Sequence, residues 1–479
     1  MTAEWLTTAL ILLPVGAGLA VWLLPWTRFW AGSIALLAAL VEVGLWIETA
    51  LAFDFGDAGL QLAQRHPWFS DLGVSYHVGF FAWSLWLAGA TVVVMAAAIA
   101  YAFWAGRERP RAYFGLMLFL TGAIVGVFVA QDLLVFYAFF EAMLIPLYVL
   151  VGVWGGAGRT GATLKFVIYT MAGSLLMLAA IVAFGLQQGT FDLVASGTSD
   201  NPWLFLGFLA AFAVKAPLFP LHGWLPDAYR ESSPEVAAVL SGIVSKAAVF
   251  GMLRIAIGKF PEPVSDLRVL VLALAAAGLV YGSLVAFRAP DFRGVVAYSS
   301  LGQMGLITIG LFSGTDLGLN GAILHSVTHA LVSTTLFLLA GGIERRADTG
   351  ELALLGGMAR GRPALATVLL TTGMFALAVP GSSAFAGEFL ILAGAFDAGW
   401  WWSVIGVGAI VLAAMYVLRL ISAVLHESPG PRLTEAVLDL RPAELAILVP
   451  VVAVLLALSF WPDAISGHSF PGELLEAGR

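Results

Sequence analysis

The sequence predicts an all-α polytopic membrane protein of about fourteen transmembrane helices, built from repeated units in which helices 7 and 12 are broken. Three observations carry this prediction. The 479 residues are 60% hydrophobic and only 11% charged, roughly half the charge share of a soluble globular chain, and mean hydropathy is +0.94. Apolar windows of about 19 residues recur along the whole length. Prolines or a Pro-Gly pair interrupt two of those windows beside an ionisable residue.

Taken in order, the spans centre near Leu13, Leu37, Thr91, Gly122, Leu144, Met177, Phe212, Val244, Ala276, Met304, Leu331, Phe375, Leu412 and Val451. The first apolar run continues into a full-length span, so a cleavable signal pattern is not expected. Residues 1–111 hold the first three spans. Residues 112–257 (helices 4–8) and 258–425 (helices 9–13) form two five-helix units, and 426–479 hold the last loop and span. Polar loops run to only about 15 to 25 residues, too short for a soluble domain.

Charge places the loops. With the N terminus outside, the odd-numbered loops carry Arg28, Arg107, Arg109, Arg111, Arg159, Arg230, Arg288, Arg293, Arg345, Arg346, Arg360, Arg362, Arg432 and Arg441. The even loops and C terminus carry only Arg65, Lys259, Arg268 and Arg479. This positive-inside bias supports an even span count with both termini on the outer side. The net charge of −7 is no argument for a nucleic-acid partner. There is no cysteine, which excludes cysteine-ligated iron–sulfur clusters, c-type haem attachment and disulfides on this chain. No glycine-rich nucleotide fingerprint stands between a strand and a helix.

The chain centres on Ala211–Tyr229, AFAVKAPLFPLHGWLPDAY. Lys215 lies deep in an apolar run, and Pro217 and Pro220 break the helix directly after it. Buried ammonium groups are expensive in a bilayer unless they face protein or water, and a broken helix is tolerated only where the freed carbonyls find partners. The chain has four lysines against nineteen arginines, and Lys165, Lys215 and Lys246 lie within spans or at their ends. Arginine keeps its proton, whereas a buried lysine can give it up, so lysine suits a proton relay. Lys165, near a span end, could equally snorkel.

Glu141 lies in LLVFYAFFEAMLIPLYVL, far from any other charge in sequence. Glu388 follows the second interruption, at Pro380 and Gly381. The interrupted helices stand five spans apart, as expected of a transporter built from repeats with ion sites at the breaks. His325 and His329 are four apart and share a helix face, a spacing suited to a proton wire. Zinc binding there would need a third ligand and a glutamate that the motif lacks. A structural role in a polar helix seam is the plain alternative. Asp132 stands at a helix start, where capping explains it. Glu42 is expected to make an interhelical hydrogen bond.

Five stretches carry a resemblance: QDLLVFYAFFEAMLIPLYVLVGVWGG, LKFVIYTMAGSLLMLAAI, KAPLFPLHGWLPDAY, DFRGVVAYSSLGQMG and VPGSSAFAGEFL. They resemble the antiporter-like membrane subunits of respiratory complex I, most closely the M type of NADH-quinone oxidoreductase (mitochondrial chain 4 type), over roughly residues 112 to 395. The resemblance implies inverted five-helix repeats and proton translocation in a bacterial inner membrane, driven by NADH:quinone chemistry elsewhere. Glu141 and Lys215 would be the ion pair of the first half-channel, Lys246 the central lysine, His325 and His329 the extension of the axis, and Glu388 the terminal group. No cofactor is expected on this chain. NADH, FMN, iron–sulfur clusters and quinone would belong to partner subunits, and the membrane partners would be antiporter-like L and N types within the lipid bilayer.

The tripeptide GEF at Glu388 is similar to the M type, whereas the L and N types and the cation/proton antiporters generally have lysine there. Other positions depart from the pattern. Phe81 stands where an aspartate is expected at the opening of the third span, and Asp348 where a histidine is expected after the eleventh. HSVTHA is closer to the L type, and SPEVAAVLSGIVSKAAVFG to the hydrogenase and antiporter relatives. The alternatives are therefore a subunit of a multi-subunit cation/proton antiporter or membrane-bound hydrogenase, and a scaffold whose buried charges only hold helices together. A sodium site would want an oxygen cage of carboxylates and hydroxyls. The alternating lysine, acid and histidine favour protons.

Overall fold

The computed structural model describes residues 3–432 and 438–469. Among them, twelve helices are long and apolar enough to cross a membrane, from Trp5–Leu23 to Pro442–Phe460. The seventh and twelfth spans are split, as Pro202–Lys215 with Leu225–Glu231 and as Pro363–Ala376 with Ser383–Ala398. The intact and split spans together make up the polytopic all-helical bundle expected. Arg479, counted above with the C terminus, lies outside the described residues.

Both breaks are held by side-chain and backbone partners that replace lost helix bonds. After Lys215, the Trp224 indole donates to the Val214 carbonyl at 2.9 Å and the Leu218 amide reaches the Ala213 carbonyl at 2.7 Å. In the twelfth span the chain turns through Ala378 and Gly381, both at positive φ. Ser382 then caps the second half by accepting from the Phe385 amide at 3.1 Å, and the Ser383 amide donates to Ser459 Oγ at 2.9 Å. These partners meet the requirement that irregular backbone at membrane depth be satisfied inside the protein.

The eighth span, Pro234–Ile257, and the eleventh, Asp316–Ala347, are buried throughout their apolar windows and form the axis of the bundle. Outer spans turn Leu37, Leu164, Trp203 and Val404 outward, the side chains a lipid solvent accepts. Lys246 lies in a short α-helical piece, Ser245–Gly251, between two π-helical segments, Leu240–Val244 and Met252–Ile257. Such bulges free carbonyls and gather at functional sites. The two axial helices meet at Gly242, where a Cβ would lie 2.7 Å from Thr334 Oγ1 and 3.2 Å from the Ala330 carbonyl.

The all-α reading overlooks one feature. Between the second and third spans, Gln61–Phe69 pairs antiparallel with Val74–Phe80 in a two-stranded hairpin. The second strand alternates polar and β-branched or aromatic residues, VSYHV, which is strand-forming, but it is short and lies between much stronger hydropathy signals. The hairpin is tied to the bundle by the Gln131 amide, which donates to the His77 carbonyl at 2.8 Å. Asp132 caps the fifth span as expected, accepting from the Leu134 and Val135 amides at 2.9 and 3.3 Å.

At the opposite end of the bundle, ion pairs clamp the helix ends. Arg107 forks onto Glu235 at 2.6 and 2.7 Å, Arg293 onto Glu344 at 2.5 and 2.7 Å, and Arg346 holds Glu444 at 2.8 Å. Bidentate arginine–carboxylate pairs of this kind fix geometry as well as charge.

Candidate functional site

The site grows out of the axial helices and the second break. Lys246 Nζ donates to His329 Nδ1 at 2.6 Å and to the Ser241 carbonyl at 2.9 Å, which also accepts from Ser245 Oγ at 3.0 Å. With Lys246 as an ammonium, which can only donate, His329 accepts through Nδ1 as a neutral imidazole. One turn away, His325 Nε2 donates to Gln303 Oε1 at 2.7 Å, and Gln303 Nε2 donates to Glu388 Oε1 at 3.3 Å. His325 and Glu388 are 4.0 Å apart. Gly387 permits this approach, since a Cβ there would lie 2.9 Å from His325 Cβ. All five side chains are buried.

The two histidine rings lie 6.4 Å apart, centroid to centroid, too far for a direct bond. A cavity lined by Gln303, His325, Thr328, His329 and Glu388 adjoins them. His325 Nδ1 and Thr328 Oγ1 are both buried there without a protein partner, which is the polar lining that a bridging water needs.

The first half is arranged differently. Lys215 is buried at the end of its half-helix. Its Nζ donates to the Phe140 carbonyl at 3.2 Å and sits 4.1 Å from the centre of the Phe140 ring. Glu141 is only half-buried, and among the described residues no ion pair within 4.0 Å joins it to Lys215. Between Lys215 and the turn after Lys246 lie Phe140, Phe136, Phe212 and Phe250, with Phe136 stacked on Phe250 at 5.9 Å and edge-on to Phe212 at 6.1 Å. Of the six residues singled out in the sequence, the structure links Lys246 with His329 and His325 with Glu388. Glu141 and Lys215 are neighbours without contact.

Two other acidic and basic groups are settled by geometry. Lys165 pairs with Asp227 at 2.5 Å, both half-exposed. Glu42 corrects the expectation of an interhelical hydrogen bond, because both its oxygens are buried without a partner. Among the described residues, no group of three histidine or acidic side chains is placed to hold a metal ion.

Sequence reasoning passed over Gln303, the link between His325 and Glu388. Its signal was available: an amide in mid-span, in SSLGQMG, is costly without partners. It also passed over Ser241, which donates to Ser300 Oγ at 2.9 Å beside the Lys246 site, and Tyr416, bonded to Ser299 at 2.8 Å.

With this geometry in place, similarity to known proteins becomes informative. Residues 130–413 match the family described as NADH:quinone oxidoreductase/Mrp antiporter, transmembrane. NADH-quinone oxidoreductase subunit M of Rhodobacter capsulatus is 35% identical over 451 residues, covering 90% of this chain and 88% of that protein. The subunit M of Mycobacterium tuberculosis H37Rv is 32% identical over 508 residues, covering 96% and 92%. Among solved structures, a chain of respiratory complex I from Thermus thermophilus with bound NADH superposes with TM-score 0.90 at 32% identity, covering 99% of this chain and 100% of that one. A chain of the Mrp complex from Dietzia sp. DQ12-45-1b shares the fold, with TM-score 0.87 at 22% identity and coverage of 99% and 98%.

Proposed function

The chain belongs to the NADH:quinone oxidoreductase/Mrp antiporter family of membrane subunits, and from that premise we propose that it is a proton-translocating subunit of a complex I-like NADH:quinone oxidoreductase. The observation that carries the reading is the buried row from Lys246 through His329 and His325 to Gln303 and Glu388. Every member except Gln303 can hold or release a proton, and the row runs from the eighth span to the second half of the split twelfth span. Redox chemistry belongs to partner subunits, and the chain offers no cysteine for an iron–sulfur cluster.

The mechanism is electrostatic. A charge change in a neighbouring membrane subunit moves Glu141 toward or away from Lys215. Two unit charges about 4 Å apart interact by roughly 4 kcal/mol at an effective dielectric near 20, so closing the pair holds a proton on Lys215 and opening it favours release. The arrangement described above is the open one. The released proton passes to Lys246 on water entering along the phenylalanine cluster, then through the histidines to Glu388. The half-exposure of Glu141 on the outer surface of the bundle fits control from a neighbour. Residues 112–257 and 258–425 would be the two inverted units, each with its own break. The arginine-rich loops would face the cytoplasm, and both termini the outer side.

A cation/proton antiporter subunit is the second reading, favoured by the shared fold with the Mrp chain. Glutamate rather than lysine at position 388 argues against it. Purifying the intact assembly through a tag on this chain, with its partners identified by mass spectrometry, separates the two. Co-purification of NADH-binding and iron–sulfur subunits is expected. Recovery of small membrane antiporter subunits alone would overturn the redox-driven reading.

A further inference from the structure

A second cluster of buried charge lies away from the axial row, at the end of the bundle that carries the hairpin. Arg254, on the last turn of the eighth span, and Lys259, just after it, are both more than nine-tenths buried. Both line a cavity of about 540 Å³ that also touches Ser196, Phe81, Trp83 and Leu193. Arg254 Nε donates to Gln131 Oε1 at 3.0 Å, and its guanidinium lies 4.9 Å from the centre of the Phe81 ring. Neither contact supplies a full negative charge. Lys259 Nζ donates to the Ser196 carbonyl at 2.7 Å, again a neutral partner. Ser196 Oγ, at the same wall, is buried with no partner at all.

The nearby carboxylates are already committed. Asp192 takes Arg65 at 3.0 Å and His77 Nδ1 at 3.0 Å, together with the Val194 and Ala195 amides. Burial raises its carboxyl, but the His77 and amide hydrogen bonds outweigh this and hold it at about 2. Asp132 spends its oxygens on the Ser75, Leu134 and Val135 amides. Asp57, near the rim, is exposed and bonds the Gly59 amide. Even with His77 neutral, Arg65, Arg254 and Lys259 face two buried carboxylates, leaving one positive charge uncompensated. Burial first, and then the Arg254 charge, push the Lys259 ammonium down to about 8 against the pull of Asp192.

We propose that this cavity binds a phosphate anion, either the phosphodiester of a membrane lipid headgroup or free phosphate, through Arg254, Lys259 and the Ser196 hydroxyl. The chemistry follows from the donors. A guanidinium with free N–H groups matches two phosphate oxygens, while lysine and a hydroxyl reach the others. The volume falls in the range of small-molecule sites and exceeds what phosphate alone requires. Phe81, Trp83 and Leu193 supply an apolar wall for glycerol and the first methylenes. A bound phosphodiester would compensate the one unbalanced positive charge and pin the hairpin end of the eighth span to the loop that carries Ser196. This inference does not depend on which assembly contains the chain.

The test uses the intact assembly, purified in mild detergent and washed through a delipidating step. Native mass spectrometry of this chain ejected from the assembly should show one retained phospholipid mass. Its occupancy should fall at least tenfold in Arg254→Gln and Lys259→Gln, and persist in Arg254→Lys and in Arg65→Gln, whose side chain lies outside the cavity. If no lipid mass is retained but radiolabelled inorganic phosphate binds saturably and is lost in Lys259→Gln, the ligand is free phosphate and the site stands. Equal lipid retention in wild type and Lys259→Gln, with no saturable phosphate binding, overturns the proposal. Should Arg254→Gln fail to assemble, Lys259→Gln decides alone, since it removes the charge from a side chain at the helix end.

Discussion

The two broken spans solve one backbone problem and leave two different side-chain environments. At the seventh-span break, Lys215 has one carbonyl and an aromatic face for an ammonium that can donate three hydrogen bonds. Phenylalanines fill the space toward Lys246. At the twelfth-span break, Glu388 joins a continuous polar row with Gln303 and His325 beside a cavity. The first region is walled by phenylalanine rings and under-satisfied; the second is joined by hydrogen bonds from His325 to Glu388. A charge that lacks partners responds strongly to a neighbour's field because little else holds it. A hydrogen-bonded row with room for a bridging water between His325 and His329 suits conduction. On the proposed function, control would lie in the first half and conduction in the second.

That assignment can be broken at several points. The largest loss is expected from Lys246→Ala, which removes the group where the two halves meet. Proton pumping by the intact assembly, followed by a pH-sensitive dye in inverted vesicles, should fall about a hundredfold, as for loss of a proton-transferring side chain. Pumping at half the normal rate with normal assembly would remove the axial row from the pathway. Glu141→Gln and Lys215→Ala should each abolish most pumping while leaving assembly intact. If both variants pump normally at normal expression, control does not reside in this pair.

Gln303→Leu sharpens the contrast, because it cuts the link between His325 and Glu388 without removing a titratable group. A drop of about tenfold is expected, smaller than for Lys246→Ala since water can bridge part of the gap. An unchanged rate would mean that the cavity, not the amide, carries the proton. The smallest effect on the chemistry belongs to Gly387→Val. Its side chain would collide with His325 and cost roughly 1–3 kcal/mol as an overpacked contact, read as a lower thermal unfolding midpoint of the purified assembly. Equal midpoints would show that the two helices separate there freely.

Much of this could be read along the chain because the signals are local. Lys215 stands just before two prolines, and Glu388 just after a Pro-Gly pair, so both breaks are visible without a structure. His325 and His329 share a face by spacing alone. Other features had no local signature strong enough to read. The hairpin falls in a loop whose strands are short, and the π-helical segments around Lys246 contain no proline to mark them. The partnerless state of Glu42 depends on what the adjoining helices fail to offer. Gln303 is visible as a buried amide, but nothing in its own segment says which charges it joins.

The solvent, the number of spans to within a small margin, the two breaks and the types of ionisable group placed in the membrane are all written along the chain. Hydropathy, proline geometry and helical period act over one or two turns, so they survive in a one-dimensional reading. Which groups touch is a matter of how the helices pack. Gln303 and Glu388 are 85 residues apart in the chain, and Lys246 and His329 are 83 apart. Their contact is set by the close packing of separate helices, a property that no single segment contains.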